Sequence, residues 1–128
     1  AKRGVEVIIL TPGIPDKKIV YRMTRANYRD LVLSGVKIFE YTPGFCHAKQ
    51  CVSDDIVATC GTINLDYRSL YHHFEDGCLI YNAKAVLDIK DDFERTFNVS
   101  REVTHEYGRR SFRFSLWCLV MKLFSPLL

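Results

Sequence analysis

The chain has 128 residues, of which 48% are hydrophobic and 26% are charged, with seven glycines and four prolines. These values are typical of a globular domain with its own core, and they exclude a low-complexity or disordered chain. Residues 1–100 carry thirteen basic and thirteen acidic side chains, so the formal net charge of +3 comes wholly from residues 101–128. That distribution argues against a nucleic-acid groove across the domain and favours a partner that meets the C-terminal end.

The first third of the chain predicts a βαβ unit. Residues 5–10 are almost wholly apolar, as in a strand of a parallel sheet that helices cover. Residues 17–34 show helical periodicity, with Asp16 as the expected N-cap and Gly35 as the stop. Val36–Tyr41 alternates into a second strand. A strand, a helix and a strand in this order predict a right-handed crossover with parallel pairing.

The middle of the chain predicts a hairpin. Residues 46–53 read as a third strand, in which His47 and Lys49 would share one face because side chains alternate. Asp54 and Asp55 would turn this strand into a fourth at residues 56–60. Residues 64–69 fit an irregular loop or a short helical turn.

A last strand and a long helix are predicted next. Gly77–Tyr81 is a short strand, and Asn82 can cap a helix over residues 83–98. The apolar residues of this helix fall on one stripe, which indicates core packing. They are Val86, Ile89, Phe93 and Phe97.

The tail differs in character from the rest of the chain. Apolar residues recur there at helical spacing between basic side chains, with Trp117 as an interfacial aromatic and Pro126 as the end. This pattern predicts a basic amphipathic helix that lies in a membrane interface, and a helix docked on a missing half is the alternative. No run of about 18 apolar residues is present, so no bilayer span is expected. The stripe comprises Phe112, Leu116, Leu119, Leu123 and Leu127.

Five cysteines without a CxxC pair favour reduced thiols of the cytosolic kind over a disulfide framework. Cys51, Cys60 and Cys78 lie in apolar, strand-like stretches, which predicts buried structural cysteines. No second ligand pair has zinc-like spacing, so no metal is expected.

Chemistry is concentrated between His47 and Asn64. The order is His47-Ala-Lys49, then Asp54, then Gly61-Thr-Ile-Asn64. An imidazole can attack or transfer a proton near neutral pH, and an adjacent ammonium can hold an anion. Gly61 lets the backbone approach a ligand closely. The set suits reaction at a phosphate.

These residues resemble the HKD motif of the phospholipase D superfamily. Residues 41–49, residues 61–69 and Phe74-Glu75 are similar, within that superfamily, to the C-terminal half of the bacterial cardiolipin synthases. The resemblance implies an α/β fold: one lobe of the phospholipase D-like fold, with a mixed, mostly parallel β-sheet flanked by helices, plus a C-terminal amphipathic helix. We expect a catalytic lobe over residues 1–100 and the basic tail over residues 101–128.

The resemblance also implies roles for individual residues. His47 would be the general acid/base or the nucleophile, and two-motif relatives favour the first role. Lys49, Thr62 and Asn64 would bind the substrate phosphate. Glu75 would fix the tautomer of the histidine.

Asp54 belongs to the same signature and counts as a catalytic candidate, although an aspartate at a hairpin turn also satisfies backbone N–H groups. Both interpretations stay open on the sequence.

The implied function is phosphatidyl transfer between two phosphatidylglycerols through a phosphohistidine, giving cardiolipin and glycerol without a metal or cofactor. The expected partners are anionic phospholipid, the membrane surface on the cytoplasmic side of a bacterial cell, and a second HKD lobe from an upstream half or a second copy; no nucleic acid is expected. Because only one motif is present and a core strand opens the chain without a Met, we expect a fragment that is inactive alone. The alternatives are a single-motif phosphodiesterase or nuclease that acts as a homodimer, and an inactive lipid-binding remnant.

Overall fold

The computed structural model describes residues 1–108. The tail helix predicted beyond them lies outside the described residues. No helix in the described part is long and apolar enough to cross a membrane. The elements in chain order are β1 (Val7–Pro12), α1 (Lys18–Leu33), β2 (Val36–Tyr41), β3 (Gln50–Ser53), β4 (Val57–Gly61), a π-helical turn (Arg68–His72), β5 (Gly77–Tyr81), α2 (Lys84–Asn98), β6 (Ser100–Glu102) and α3 (Thr104–Gly108).

The described chain forms two compact units. The first comprises Ala1–Cys46 together with residues 99–108, and the second comprises His47–Asn98. The predicted boundary at residue 100 has β6 and α3 beyond it, and both elements belong to the first unit.

The sheet of the first unit has the strand order β1-β2-β6. β1 and β2 pair in parallel, from Val7 opposite Val36 to Pro12 opposite Tyr41, as the predicted βαβ unit requires. β6 adds antiparallel to β2. The fully buried residues that form the core are Tyr28, Val36, Ile38 and Val103.

A buried carboxylate lies in this unit. The side chain of Glu40 is 1% exposed, and its Oε2 accepts a hydrogen bond from Arg101 at 3.0 Å. Arg25 Nε lies 3.3 Å from Oε1 but donates its hydrogen to the Tyr107 hydroxyl at 2.6 Å. Oε1 therefore gains charge stabilisation but no hydrogen bond from the described residues. Two cations from distant segments neutralise one buried charge.

The start of α1 differs from the prediction. Its N-cap is Lys17, in an extended conformation, and no side chain caps the helix. Asp16 is thus not the cap, and the prediction was wrong by one residue. Ser34, at the other end, donates its backbone N–H to carbonyls of the last turn before Gly35, which has a φ of +92°.

The second unit is an antiparallel meander, β3-β4-β5, covered by α2. Asp54 and Asp55 turn β3 into β4 with positive φ at both positions, as a type I′ hairpin turn requires. Lys90 on α2 donates to Asp55 at 2.8 Å and ties the turn to the helix. On the predicted apolar stripe, Val86 is fully buried and the other three residues are partly buried.

The α/β class and the mixed sheets are confirmed. Among the described strands only β1 and β2 pair in parallel, and the other three pairs are antiparallel, so parallel pairing is less common than predicted. One reason is the short turn between β3 and β4, which can only join antiparallel neighbours.

The cysteines depart from expectation in one respect. Cys46, Cys51, Cys60 and Cys78 are free thiols. Cys51, Cys60 and Cys78 are exposed, so the prediction of buried structural cysteines was wrong. The strands that carry them have faces that no element of the second unit covers at these positions.

Candidate functional site

Three chain segments meet at one end of the second sheet because of its antiparallel register. Gln50 opposes Cys60, and Gly61 opposes Gly77. The Gly61 N–H donates to the Lys49 carbonyl at 3.2 Å, which extends the β3–β4 pairing by one residue. The residues before β3, after β4 and before β5 therefore share this end, and the motif residues come from these three segments.

His47 and Lys49 form a contact pair before β3. Lys49 Nζ lies 3.0 Å from Nδ1 and 2.9 Å from Nε2 of the His47 ring, and it donates to the His47 carbonyl at 2.9 Å. The segment is not yet a strand, since β3 begins at Gln50, so the predicted strand placement of the two residues was wrong. The Lys49 side chain folds back onto the ring instead. This arrangement holds a cation within reach of an exposed imidazole.

Thr62 links the end of β4 to the start of β5. Its hydroxyl donates to Glu75 at 2.5 Å and accepts from the Asp76 N–H at 3.1 Å. Its own N–H donates to the Asp76 carbonyl at 2.9 Å. Glu75 is thereby fixed at the same end of the sheet as Lys49.

The environment of Glu75 favours its charged form. The Thr62 hydroxyl, followed by the Ser69 hydroxyl, lowers the pKa of this carboxyl, and the charges of His73 and Lys49 act in the same direction. His73 Nδ1 lies 4.0 Å from Oε1, and the Glu75 side chain is 15% exposed. Glu75 is thus an ionised carboxylate held by two hydroxyl donors.

The π-helical turn anchors Asn64. Asn64 Nδ2 donates to the Ser69 hydroxyl at 3.3 Å, and the Ser69 N–H donates to the Asp66 carboxylate at 2.8 Å. Ser69 is buried and contacts both Asn64 and Glu75, so it joins the two sides of the network. π-Helical turns are rare in proteins, and those that occur often lie at functional sites.

These groups are suited to an anion. They offer an ammonium, an amide and an imidazole, which are donors that a phosphodiester can use. Within residues 1–108 no three His, Cys, Asp or Glu side chains cluster as a metal site would require.

The comparisons with known proteins identify the family of the chain. The family model "Cardiolipin synthase, PLD-like domain" matches residues 1–97. The chain belongs to this family. An uncharacterised protein of Streptococcus mutans is 50% identical over all of the chain, which covers 28% of that protein. Cardiolipin synthase 1 of Staphylococcus aureus is 37% identical over all of the chain, which covers 26% of that enzyme.

The fold has a solved counterpart. The phospholipase D family member Nuc from Salmonella typhimurium superposes with a TM-score of 0.69 at 20% identity, over 79% of this chain and 66% of that chain. The chain is thus a phospholipase D-like domain by fold as well as by sequence. It spans about a quarter of the length of the curated relatives that it matches.

The site of this phospholipase D-like domain does not include every predicted residue. Asp54 sits at the tip of the β3–β4 hairpin, where its carboxylate accepts from the Ser53 hydroxyl at 3.0 Å. The four residues of β3 lie between it and Lys49, which sets the two Cα atoms roughly 15 Å apart. The turn role that the sequence left open fits this position better than a catalytic one.

Two residues of the domain's network were not among the predicted site residues. Ser69 joins Asn64 to Glu75, and His73 lies beside the carboxylate. The polar pair Arg68-Ser69 within an apolar stretch could have indicated a site role for Ser69. His72 and His73 are adjacent in sequence, and the chain alone gave no means of choosing between them.

Proposed function

We propose that this domain supplies one half of the active site of a cardiolipin synthase-type phosphatidyltransferase. The observation that carries the proposal is the contact of the Lys49 ammonium with the His47 ring, beside an ionised carboxylate held by Thr62 and Ser69. A phosphate bound by that ammonium would lie next to the imidazole.

The chemistry divides between two histidines. One ring nitrogen attacks phosphorus of the first phosphatidylglycerol, and the P–O bond to glycerol breaks. The other histidine gives its proton to the departing alkoxide, then takes the proton of the second phosphatidylglycerol's hydroxyl, whose oxygen displaces the first histidine from phosphorus. Cardiolipin and glycerol are the products. We assign the acid/base role to His47.

The remaining residues act on charge and position. Lys49 neutralises the nonbridging oxygens as negative charge gathers in the transition state. Asn64 directs its amide to the same oxygens, whereas the single hydroxyl hydrogen of Thr62 holds Glu75. Glu75 takes the part of the carboxylate that fixes the tautomer of the histidine, as in triad-like sites.

A second lobe completes the site in this proposal. His47 is exposed in the described unit, so this unit alone leaves the reaction centre open to water. A phosphohistidine formed at such an open centre would hydrolyse instead of transferring its group. The missing histidine and the cover would come from an upstream half or from a second copy. We therefore infer that the 128-residue chain alone does not turn over lipid. Turnover of phosphatidylglycerol by this chain as a monomer would contradict that inference.

The partners follow from the substrate. The domain would meet anionic phospholipid at the cytoplasmic face of the bacterial membrane, with residues 101–128 as the basic contact. Net positive charge confined to that segment supports this orientation.

The test uses the full-length protein that contains this domain, in phosphatidylglycerol vesicles, with cardiolipin and glycerol measured together. His47→Ala is expected to lower the rate on the order of 10³-fold, since general acid/base catalysis supplies roughly 10²–10⁴. Lys49→Gln is expected to lower the rate about 10²–10³-fold. His72→Ala is the matched control and should retain the wild-type rate. A full rate in His47→Ala would refute the proposal.

A trapping experiment separates the two roles of His47. With phosphatidylglycerol labelled at phosphorus, the His47→Ala protein should still accumulate labelled phosphohistidine, because the nucleophile lies on the other lobe. Loss of the label would assign the nucleophile to His47 instead.

A single-motif nuclease is the weaker candidate. The described body of the domain has balanced charge, whereas nucleic-acid binding usually needs a basic stripe. Salt-sensitive binding of DNA by the chain would favour it.

A further inference from the structure

Cys60 and Cys78 are direct neighbours across two strands. Cys60 on β4 opposes Cys78 on β5 in the antiparallel register, so both side chains point to the same face of the sheet. Both are free and exposed thiols. The Gln50 amide, opposite Cys60 on the third strand, donates to the Cys60 sulfur at 3.8 Å and confirms that face. Soluble oxidants can therefore reach two thiols that already face each other.

The Cα spacing of the pair lies within the range that a disulfide can bridge. The Thr62 N–H donates to the Asp76 carbonyl at 2.9 Å, and the Asn82 N–H donates to the Ile56 carbonyl at 2.7 Å. Hydrogen-bonded pairs alternate along an antiparallel ladder, which makes Cys60 and Cys78 a hydrogen-bonded pair with Cα atoms about 5.5 Å apart. Disulfides bridge Cα atoms roughly 4.4–6.8 Å apart.

We propose that Cys60 and Cys78 form a thiol pair that peroxides convert reversibly into a cross-strand disulfide at the base of the candidate site. One thiolate attacks hydrogen peroxide, takes one oxygen as sulfenic acid and releases hydroxide, which is protonated to water. The second thiolate attacks that sulfur, the S–S bond forms, and the sulfenic oxygen leaves as hydroxide, also protonated to water. Two thiols and one peroxide thus give one disulfide and two waters.

The bond would act on the neighbouring site residues. Opposed Cβ atoms lie about 5 Å apart, whereas a disulfide holds them at about 3.8 Å, so the strands must shift toward each other. The next pair is Gly61 with Gly77, where the strands are already close: a Cβ on Gly61 would lie 2.6 Å from Gly77 Cα. Thr62 opposite Asp76 is the next pair beyond the strands, and Glu75 precedes Asp76, so the hydrogen bond from Thr62 to Glu75 would be displaced.

The test needs no catalytic activity. The dilute 128-residue chain is treated with graded hydrogen peroxide, alkylated, and cleaved before aspartates. Residues 55–65, which contain Cys60, should be found joined to residues 76–87, which contain Cys78, and dithiothreitol should separate them. Cleavage before Asp55 removes Cys51 from the first peptide, so the linked cysteine is unambiguous.

Cysteine variants give the matched controls. Cys51 opposes Thr59 and points to the other face, so Cys51→Ser should cross-link as the wild type does. Cys60→Ser and Cys78→Ser should each lower the yield at least tenfold, with circular dichroism to verify folding. Oxidation of both thiols to sulfinic acids without a link, or a link that Cys51→Ser abolishes, would overturn the proposal. Peptide mapping of the wild type decides the question even where a variant fails to fold.

A second measurement rests on the proposed function. In the full-length protein, peroxide should lower phosphatidyl transfer several-fold in the wild type, and much less in Cys60→Ser, with recovery on reduction. Because the peptide link is measured without activity, failure of the thiol pair and failure of the proposed function are distinguishable.

Discussion

The two units of this domain bury their residues to different extents. The first unit encloses a core of fully buried side chains around Ile38 and also buries the charge of Glu40. In the second unit Ala58 and Val86 are fully buried, while large apolar side chains such as Leu79 and Phe74 are exposed. All the candidate site residues belong to the second unit.

The first unit therefore accounts for most of the stability, and the second unit carries the candidate site. Burial of apolar surface is the main source of folding free energy, so the first unit should dominate the stability of the chain. The second unit holds its polar groups by hydrogen bonds between strand ends, and it exposes surface that a partner or lipid can cover. Substitutions should therefore act on stability in one unit and on the site in the other.

The largest expected effect is at the buried charge of Glu40. Arg101→Ala removes the cation that hydrogen-bonds the buried Glu40 carboxylate and should lower the free energy of unfolding by about 3–5 kcal/mol, because a buried charge loses its partner. Urea denaturation measures it. Glu6→Ala is the control, because its ion pair with Lys37 is exposed and screened by solvent, so the loss of stability should be small. Equal losses in the two variants would remove the basis of the comparison.

The next effect compares two aliphatic strand residues. Ile38→Ala empties a fully buried position of β2 and should cost about 2–5 kcal/mol. Leu79→Ala changes a side chain on β5 that is 71% exposed and should cost less than about 0.5 kcal/mol. Denaturation midpoints of the two variants, side by side, give the answer. A costly Leu79→Ala would mean that the second unit has a core of its own at that face.

A smaller effect is expected at the site end of the second sheet. Gly61→Ala would press a methyl group against the Asp76 carbonyl oxygen and Gly77 Cα, which should cost about 1–3 kcal/mol. Gly44→Ala is the matched control, since its nearest contact would be an ordinary 3.8 Å to the Tyr41 ring. Thermal denaturation of both would show the difference. If Gly61→Ala is as stable as Gly44→Ala, the strands are not close at this point.

The smallest effect is the pH dependence that Glu75 contributes. Its pKa is lowered in the folded chain, so the carboxylate stabilises the fold above its ordinary pKa, and that contribution is lost as pH falls through the lower, folded value. Thr62→Val removes the main hydroxyl donor to Glu75. The free energy of unfolding should then depend less steeply on pH below about pH 4.5. Thr59→Val, an exposed threonine of the same strand, is the control. An unchanged acid limb in Thr62→Val would show that the hydroxyl does not hold the carboxylate.

The regular elements were predictable where local pattern decides them. β2 and β5 match the predicted bounds, α1 differs by one residue at each end and α2 by one residue at its start, because apolar periodicity and glycine stops are local signals. β6 was missed because Ser100–Glu102 is polar, and it is a strand only through pairing with β2 sixty residues earlier.

The site was predictable in composition and less so in geometry. His47, Lys49, Thr62 and Glu75 gather at one sheet end, as the motif indicated. The contact of Lys49 with the imidazole depends on a side chain that folds back along its own segment, and strand alternation does not describe that. The pairing of Glu40 with Arg101 was beyond prediction, because nothing local marks a glutamate as buried.

The position of Arg101 and Val103 sets a lower limit on any shortened version of this protein. A chain that stopped after residue 100 would keep every group of the candidate site, yet Glu40 would lose its closest cation and the core would lose Val103. Such a truncated protein should accumulate as aggregates in expressing cells. The minimal recombinant domain therefore extends at least through Gly108.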